Sequence, residues 1–302
     1  MNQELKLGMI GLDTSHCTAF AKILNDSSYE HYVPGGRVMA AYPGGSPDLY
    51  ASYSCVDGYR KELNEQYGIA MLDSPEEVAE RSDAILLTSV DGRKHPEQFS
   101  RIAPYGKPVF IDKPFALSRQ EAEAIFEQAA KYNVVLMGSS SLRYAEEVTQ
   151  CLVDREAGAV IGADVFSPMP TEPTNPGWFW YGIHGVEMLY TAMSTGCKKV
   201  RSVGDERSDQ VVGVWEDGRI GTVRGNRTGV YEYGAMIHRE KSTAFVTNVF
   251  KGGRPLYVPL LKKVMEMFQT GISPIDPAVT IELTRFMEAA NESRRTGADV
   301  YL

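Results

Sequence analysis

Apolar residues fall in short unbroken runs along the first part of the chain, and amphipathic stretches separate the runs. Leu5–Gly11 predicts a strand, and the spacing of Ala19, Phe20, Ile23 and Leu24 predicts a helix behind it. Arg37–Ala41 predicts a second strand, Arg60–Tyr67 a helix and Ala70–Leu72 a short strand. Ser74 followed by Pro75, Glu76 and Glu77 supplies the cap, the proline and the first-turn acids of a helix start. Ala84–Thr88 reads as a buried strand, His95–Ala103 as a helix and Pro108–Ile111 as a strand. Ser118 and Glu121 form a capping box that opens a helix to about Tyr132, and strand Val134–Met137 follows. Strands without polar alternation, set between amphipathic helices, imply a parallel sheet covered on both faces.

The pattern changes near Ser139. After a helix around Ala145–Arg155, strands dominate: Ala159–Phe166, Lys199–Val203, Val211–Glu216, Arg219–Thr228, Tyr233–His238 and Lys241–Val249. Asp217-Gly218 between two of them is a hairpin turn signal. The chain then returns to helix at Pro259–Thr270 and Ala278–Arg295, and it closes on the strand-like Ala298–Leu302. The expectation is an α/β chain in two domains. Residues 1–138 form a Rossmann-type, dinucleotide-binding domain with a parallel sheet. Residues 139–302 form an α+β domain with an open, mostly antiparallel sheet for substrate binding and oligomerisation.

Composition narrows the class without naming a function. A chain of 302 residues, 43% hydrophobic and 23% charged, is ordinary for a soluble globular protein and long enough for two cores. A net charge of −8 with no run of Lys or Arg argues against nucleic acid or an anionic membrane as partner. No signal-peptide pattern or spanning apolar stretch is visible, so a cytoplasmic protein is expected. Cys17, Cys55, Cys151 and Cys197 are scattered without metal-ligand spacing; reduced thiols and no metal are expected.

Candidate chemistry begins at Gly8–His16. A dinucleotide fold uses glycines after its first strand to make a tight turn and let backbone N–H groups approach the pyrophosphate at a helix N-terminus. Gly11 stands at the first glycine position, but Asp13 occupies the second and His16 the third. A carboxylate facing the pyrophosphate would repel it. Two readings stay open: Asp13 or Thr14 caps the helix and turns away while Ser15 and His16 meet the phosphate, or the turn no longer holds a dinucleotide. The second strand ends at Tyr42, where an acid for NAD or a nearby arginine for NADP is usual; neither is present. The Pro43-Gly44-Gly45-Ser46 loop is either a backbone phosphate cradle or a simple turn.

Several segments, in order, resemble the Gfo/Idh/MocA oxidoreductases. Lys107–Ile111 running into Asp112-Lys113-Pro114 is similar to the family's strand and Glu-Lys-Pro element, with Asp for Glu. Thr88–His95 is similar to the end of its fourth strand, stretched by Val90-Asp91-Gly92-Arg93-Lys94. Ser141-Leu142-Arg143-Tyr144 resembles the step into the second domain, and Trp180-Tyr181-Gly182-Ile183-His184 resembles the aspartate-x-glycine-x-histidine segment. Glu282–Leu302 is similar to the closing helix and strand. The departures are Asp13 in the glycine turn and Trp180 where the family has aspartate.

The resemblance implies NAD(P)-dependent hydride transfer to or from a sugar, inositol or related polyol, with Lys113 and His184 carrying the proton chemistry. A histidine titrates near neutral pH, and a lysine near the reacting oxygen stabilises alkoxide charge. The resemblance places the cofactor, NAD or NADP without a choice between them, against Gly11, Leu12, Thr14, Ser15, His16, Tyr42, Ser46, Thr88, His95, Asp112 and Lys113. Arg143, Tyr144, Trp180, Tyr181 and His184 are the substrate candidates. Glu187, one helical turn past His184, is a candidate to orient its imidazole in place of the missing aspartate. A homodimer or homotetramer through the second sheet is implied as well. Two other classes remain open: non-redox hydration or elimination on a keto-sugar, and ligand binding without catalysis.

Overall fold

The computed structural model describes residues 4–250, 253 and 255–302, which divide into two compact units. Residues up to Ala116, Gln120–Ser139 and Tyr257–Pro277 form the first unit; Leu117–Arg119, Ser140–Leu256 and Ala278–Leu302 form the second. The chain therefore returns to the first unit after completing most of the second sheet, a return that one cut at 138/139 leaves out.

In the first half the elements are β1 (Leu5–Ile10), α1 (Ser15–Asn25), β2 (Gly36–Tyr42), α2 (Tyr50–Tyr53), α3 (Val56–Tyr67) and β3 (Ala70–Met71). They continue with α4 (Pro75–Arg81), β4 (Ala84–Leu87), α5 (His95–Ile102), β5 (Val109–Ile111), α6 (Arg119–Lys131) and β6 (Leu136–Gly138). The six strands make one parallel sheet in the order β3-β2-β1-β4-β5-β6. All four residues of β4 are buried, as a strand covered on both faces requires. The strand order reverses between β1 and β4, and the carboxyl ends of strands at such a reversal are where α/β sheets bind ligands.

The second half holds α7 (Glu146–Val153), β7 (Val160–Pro168), α8 (Gly182–Met193), β8 (Cys197–Gly204), β9 (Ser208–Trp215) and β10 (Ile220–Asn226). It ends with β11 (Gly234–Arg239), β12 (Thr243–Val246), α9 (Tyr257–Thr270), α10 (Pro277–Thr296) and β13 (Val300–Tyr301). Helix α9 belongs to the first unit. Its face of Val258, Leu261, Val264, Met265 and Phe268 is buried, and Tyr257 sets its ring 4.7 Å from that of His16.

The second sheet runs β12-β11-β7-β10-β9-β8-β13, antiparallel except for the β7–β10 pair. Strand β9 alternates half-buried and buried residues throughout, so the sheet has one core face and one open face. The core face packs Trp178, Tyr190, Trp215 and Phe286 with the apolar side of α8 and α10. On the open side Ile220 and Phe245 remain exposed.

Helix α8 carries His184 and lies close to the sheet because Gly185 has no side chain. A Cβ there would stand 2.8 Å from Ser167 Oγ and 2.9 Å from Val223 Cγ2. Gly185→Val should lift the helix off the strands and cost about 1–3 kcal/mol by overpacking. Urea unfolding of the variant should show a lower midpoint with an unchanged slope; an unchanged midpoint would contradict this contact.

Candidate active site

The first constellation surrounds the turn after β1. Gly11 sits at φ 91°, and a Cβ on it would fall 2.4 Å from Ser89 N, so only glycine fits this crossing of β1 over the chain leaving β4. Thr14 caps α1, its hydroxyl accepting from His16 N at 3.5 Å. Asp13 turns inward. It is 1% exposed, with Oδ1 accepting from Val90 N at 2.9 Å and Oδ2 from the Ser52 hydroxyl at 2.6 Å. Burial pushes its carboxyl above the usual aspartate value, and the two donated hydrogen bonds offset part of that rise. The carboxylate at the second glycine position is thus spent on the protein interior.

The loop after β2 folds toward this turn. Gly11 N donates to Tyr42 O and Leu12 N to Pro43 O, extending the strand ladder beyond Ile10. Ser46 donates its hydroxyl to Asp91 at 2.7 Å, and its N–H goes to Ser52 Oγ, also at 2.7 Å. Arg93 reaches Asp91 from Nε and Nη2 and clamps Asp48 with both terminal nitrogens at 2.8 Å. Its hydrogen bonds to Asp48 and then Asp91 raise the Arg93 pKa still further. The N–H groups of Ser15, Gly44 and Gly45 have no acceptor among the described residues. Helix-start and glycine-loop donors of this kind suit an anion.

Several expected cofactor residues turn out to be occupied. The Thr88 hydroxyl donates to Gly11 O at 2.7 Å. His95 is fully buried with Nδ1 2.8 Å from Pro114 O and Nε2 2.9 Å from Ser89 O, and burial lowers its pKa. Both its nitrogens face carbonyl oxygens, which makes it a strut between two loops and leaves neither for a ligand. Ser46 is likewise turned inward.

At the end of β5, Asp112 pairs with His16 through Oδ2 and accepts the Lys113 N–H at 2.8 Å through Oδ1. Burial alone would raise the Asp112 carboxyl; His16 and Lys113 outweigh it and hold it below the usual range. Lys113 itself is 6% exposed, and burial lowers its ammonium pKa, with Asp112 opposing the shift. It therefore gives up its proton more readily than a surface lysine.

The second constellation lies in the second unit. His184, on the first turn of α8, is 8% exposed and bordered by the rings of Tyr181 at 5.7 Å and Tyr233 at 5.6 Å. Trp180 is buried and meets Tyr181 edge-on. The group on His184 Nδ1 is the hydroxyl of Ser140, at 2.6 Å. Glu187 was the sequence candidate for that place. Its oxygens go instead to Ser140 N at 3.1 Å and Arg143 Nε at 2.7 Å. Burial raises the Glu187 carboxyl and Arg143 opposes the rise. Arg143 thus commits its Nε to Glu187, and Tyr144 closes the short turn Ser141–Tyr144.

Sequence reasoning missed Ser52, Asp48 and Ser140, since small polar residues signal nothing without a partner. Tyr233 was noticed only as a strand residue. The run Ser139-Ser140-Ser141 before Arg143 was the one available hint. Among the described residues no group of three or more His, Cys, Asp or Glu is placed to hold a metal, and no helix is long and apolar enough to cross a membrane.

Residues 7–139 match the Gfo/Idh/MocA family model, described as an oxidoreductase family with an NAD-binding Rossmann fold. No curated protein is significantly similar in sequence. Among solved structures, a protein described as a probable dehydrogenase from Thermotoga maritima is 20% identical, with 98% of this chain and 99% of that one covered and a TM-score of 0.80. The scyllo-inositol dehydrogenase of Lactobacillus casei, solved with NAD(H) and scyllo-inositol, is 13% identical, with 99% of each chain covered and a TM-score of 0.81. The myo-inositol dehydrogenase of the same organism, with NAD(H) and myo-inositol, is 14% identical over 99% of this chain and 97% of that one, at a TM-score of 0.77. At these identities the likeness establishes the fold.

Asp13 offers a direct check on the turn. Asp13→Ala leaves Val90 N–H and the Ser52 hydroxyl without their acceptor, at a cost of about 1–3 kcal/mol for each unsatisfied group. Asp13→Asn keeps the shape and removes the charge. Because the folded-state pKa of Asp13 is raised, its proton-linked stability is complete below the unfolded value and is lost as pH rises through the folded value. Thermal unfolding from pH 4 to 7 should therefore show Asp13→Asn gaining on the wild type with rising pH; a constant difference would contradict the assignment.

Proposed function

Because residues 7–139 match the Gfo/Idh/MocA oxidoreductase family model, we propose that the chain transfers hydride between NAD and a hydroxyl-bearing carbon of an inositol, sugar or related polyol. One observation carries this reading. Asp13 is buried on Ser52 and Val90, so the turn at the β1/β4 reversal offers N–H donors and no carboxylate to a pyrophosphate. Ser15, Gly44 and Gly45 are the residues that would hold it, with Gly11 and Thr14 shaping the turn and His16 closing the start of α1. The first unit is then the cofactor domain and the second the substrate domain.

The charge on the β2 loop favours NAD over NADP. Arg93, which clamps Asp48 of this loop, is shared by two carboxylates, so Asp48, Asp91 and Arg93 together carry −1. A 2′-phosphate approaching this loop meets an exposed Asp48 and an arginine already neutralised.

The bound nicotinamide supplies the hydride acceptor. Oxidation of an alcohol also requires its hydroxyl proton to leave. In this reading His184 accepts that proton at Nε2, since Nδ1 is committed to Ser140. Lys113, as the ammonium beside the reacting oxygen, stabilises the developing alkoxide while the proton stays on His184. The rings of Tyr181 and Tyr233 beside His184 suit the apolar face of a ring polyol, with Trp180 packed behind Tyr181; Arg143 and Tyr144 remain substrate candidates by resemblance.

A non-redox reading, hydration or elimination on a keto-sugar, draws on the inward commitment of Ser46, Thr88 and His95, which leaves fewer side chains for a dinucleotide. Absorbance at 340 nm with NAD or NADP and a panel led by myo-inositol and scyllo-inositol separates the two. The redox reading predicts NAD-dependent turnover, a preference over NADP of about tenfold that Asp48→Asn narrows, and a loss of about 100-fold or more in Lys113→Ala and His184→Ala. Near-normal turnover in either alanine variant would remove that residue from the mechanism. No turnover with any polyol and either cofactor would favour non-redox chemistry.

A further inference from the structure

We propose that Ser140 is the positioning residue for His184, a neutral hydroxyl standing where a carboxylate would ordinarily hold a catalytic imidazole. The inference rests on the role given to His184 above, but the geometry behind it is independent of any substrate. Ser140 is fully buried, and its Oγ lies 2.6 Å from His184 Nδ1. The segment Trp180–His184 supplies no carboxylate of its own, and Glu187 spends its two oxygens elsewhere.

Three further contacts fix the hydroxyl. Ser140 precedes the turn Ser141–Tyr144 in extended conformation, and Leu142 N donates to Ser140 Oγ at 3.1 Å. Glu187 Oε1 accepts the Ser140 N–H, and Glu187 Oε2 accepts Arg143 Nε–H. Glu187 and His184 sit one turn apart on α8, so the helix that carries the imidazole also anchors the backbone of the serine that orients it. Glu187 acts on His184 through Ser140.

A serine oxygen has two lone pairs. Leu142 N–H takes one, and the other is assigned in this proposal to His184 Nδ1–H. With that assignment the neutral ring carries its hydrogen on Nδ1 and Nε2 is the unprotonated nitrogen, which is the form a general base requires. A carboxylate would impose the same tautomer and also favour the imidazolium by charge; a hydroxyl selects the tautomer without that charge. Ser140 thus supports proton acceptance at Nε2.

The test is nitrogen-15 NMR of His184 in the full chain without ligand, combined with turnover. His184→Gln identifies the resonances. In wild type the neutral ring should show the Nδ1–H pattern. Ser140→Ala should shift it toward the Nε2–H form, and Ser140→Thr, which keeps the hydroxyl, should restore the wild-type pattern. With NAD and the inositol that turns over, Ser140→Ala should lower kcat about tenfold with KM little changed, and Ser140→Thr should recover it. An unchanged tautomer pattern in folded Ser140→Ala overturns the proposal, as does a Ser140→Thr that behaves like alanine. If the pattern shifts while His184→Ala keeps normal turnover, Ser140 still positions the ring and the catalytic role of His184 falls instead.

Discussion

A carboxylate removed from water needs hydrogen-bond donors supplied by the protein, and this requirement at Asp13 organises the whole end of the first sheet. Its two oxygens draw in Val90 N from the chain leaving β4 and the Ser52 hydroxyl from the chain leaving β2. Those two segments are then tied to each other by Ser46 on Asp91 and by Arg93 between Asp91 and Asp48. An acid in the second glycine position would seem to bar a pyrophosphate. Burying it has the opposite consequence, since the negative charge leaves the surface and the Ser15 N–H at the start of α1 has no acceptor among the described residues.

The second unit follows the same economy of placement. Gly185 lets α8 settle on β7 and β10, which fixes the first turn of the helix and with it His184. The buried Glu187–Arg143 pair then holds the turn that presents Ser140. Breaking a buried pair by removing one partner is expensive, so the turn is held firmly at the place where the imidazole needs a fixed neighbour. On the function proposed above, proton chemistry at Nε2 depends on residues that themselves touch no reacting atom.

Much of this was legible in the sequence because the signals were local. Apolar runs such as Ala84–Leu87 and the Ser74-Pro75 cap announced parallel strands and helix starts, and Asp217-Gly218 announced the β9–β10 hairpin. Lys113 and His184 were found through resemblance, not periodicity. Partners joined by long sequence separations stayed hidden: Ser140 reaches His184 across 44 positions and Ser52 reaches Asp13 across 39. His95 and Thr88 read as ligand-facing because the family resemblance placed the cofactor against them. Their actual partners are backbone carbonyls that no sequence pattern reveals. The return of α9 to the first unit was hidden for a similar reason, since an amphipathic helix does not say which sheet it will cover.

Calorimetric titration of the purified chain with NAD tests the central claim most directly, because the claim is that a turn with its acid buried still binds the dinucleotide. The account predicts one NAD per chain with a Kd in the micromolar range, about −8 kcal/mol. It also predicts that Gly11→Ala, which drives a Cβ into Ser89, abolishes that binding. No detectable heat at millimolar NAD, from a folded chain free of copurified nucleotide, would contradict it.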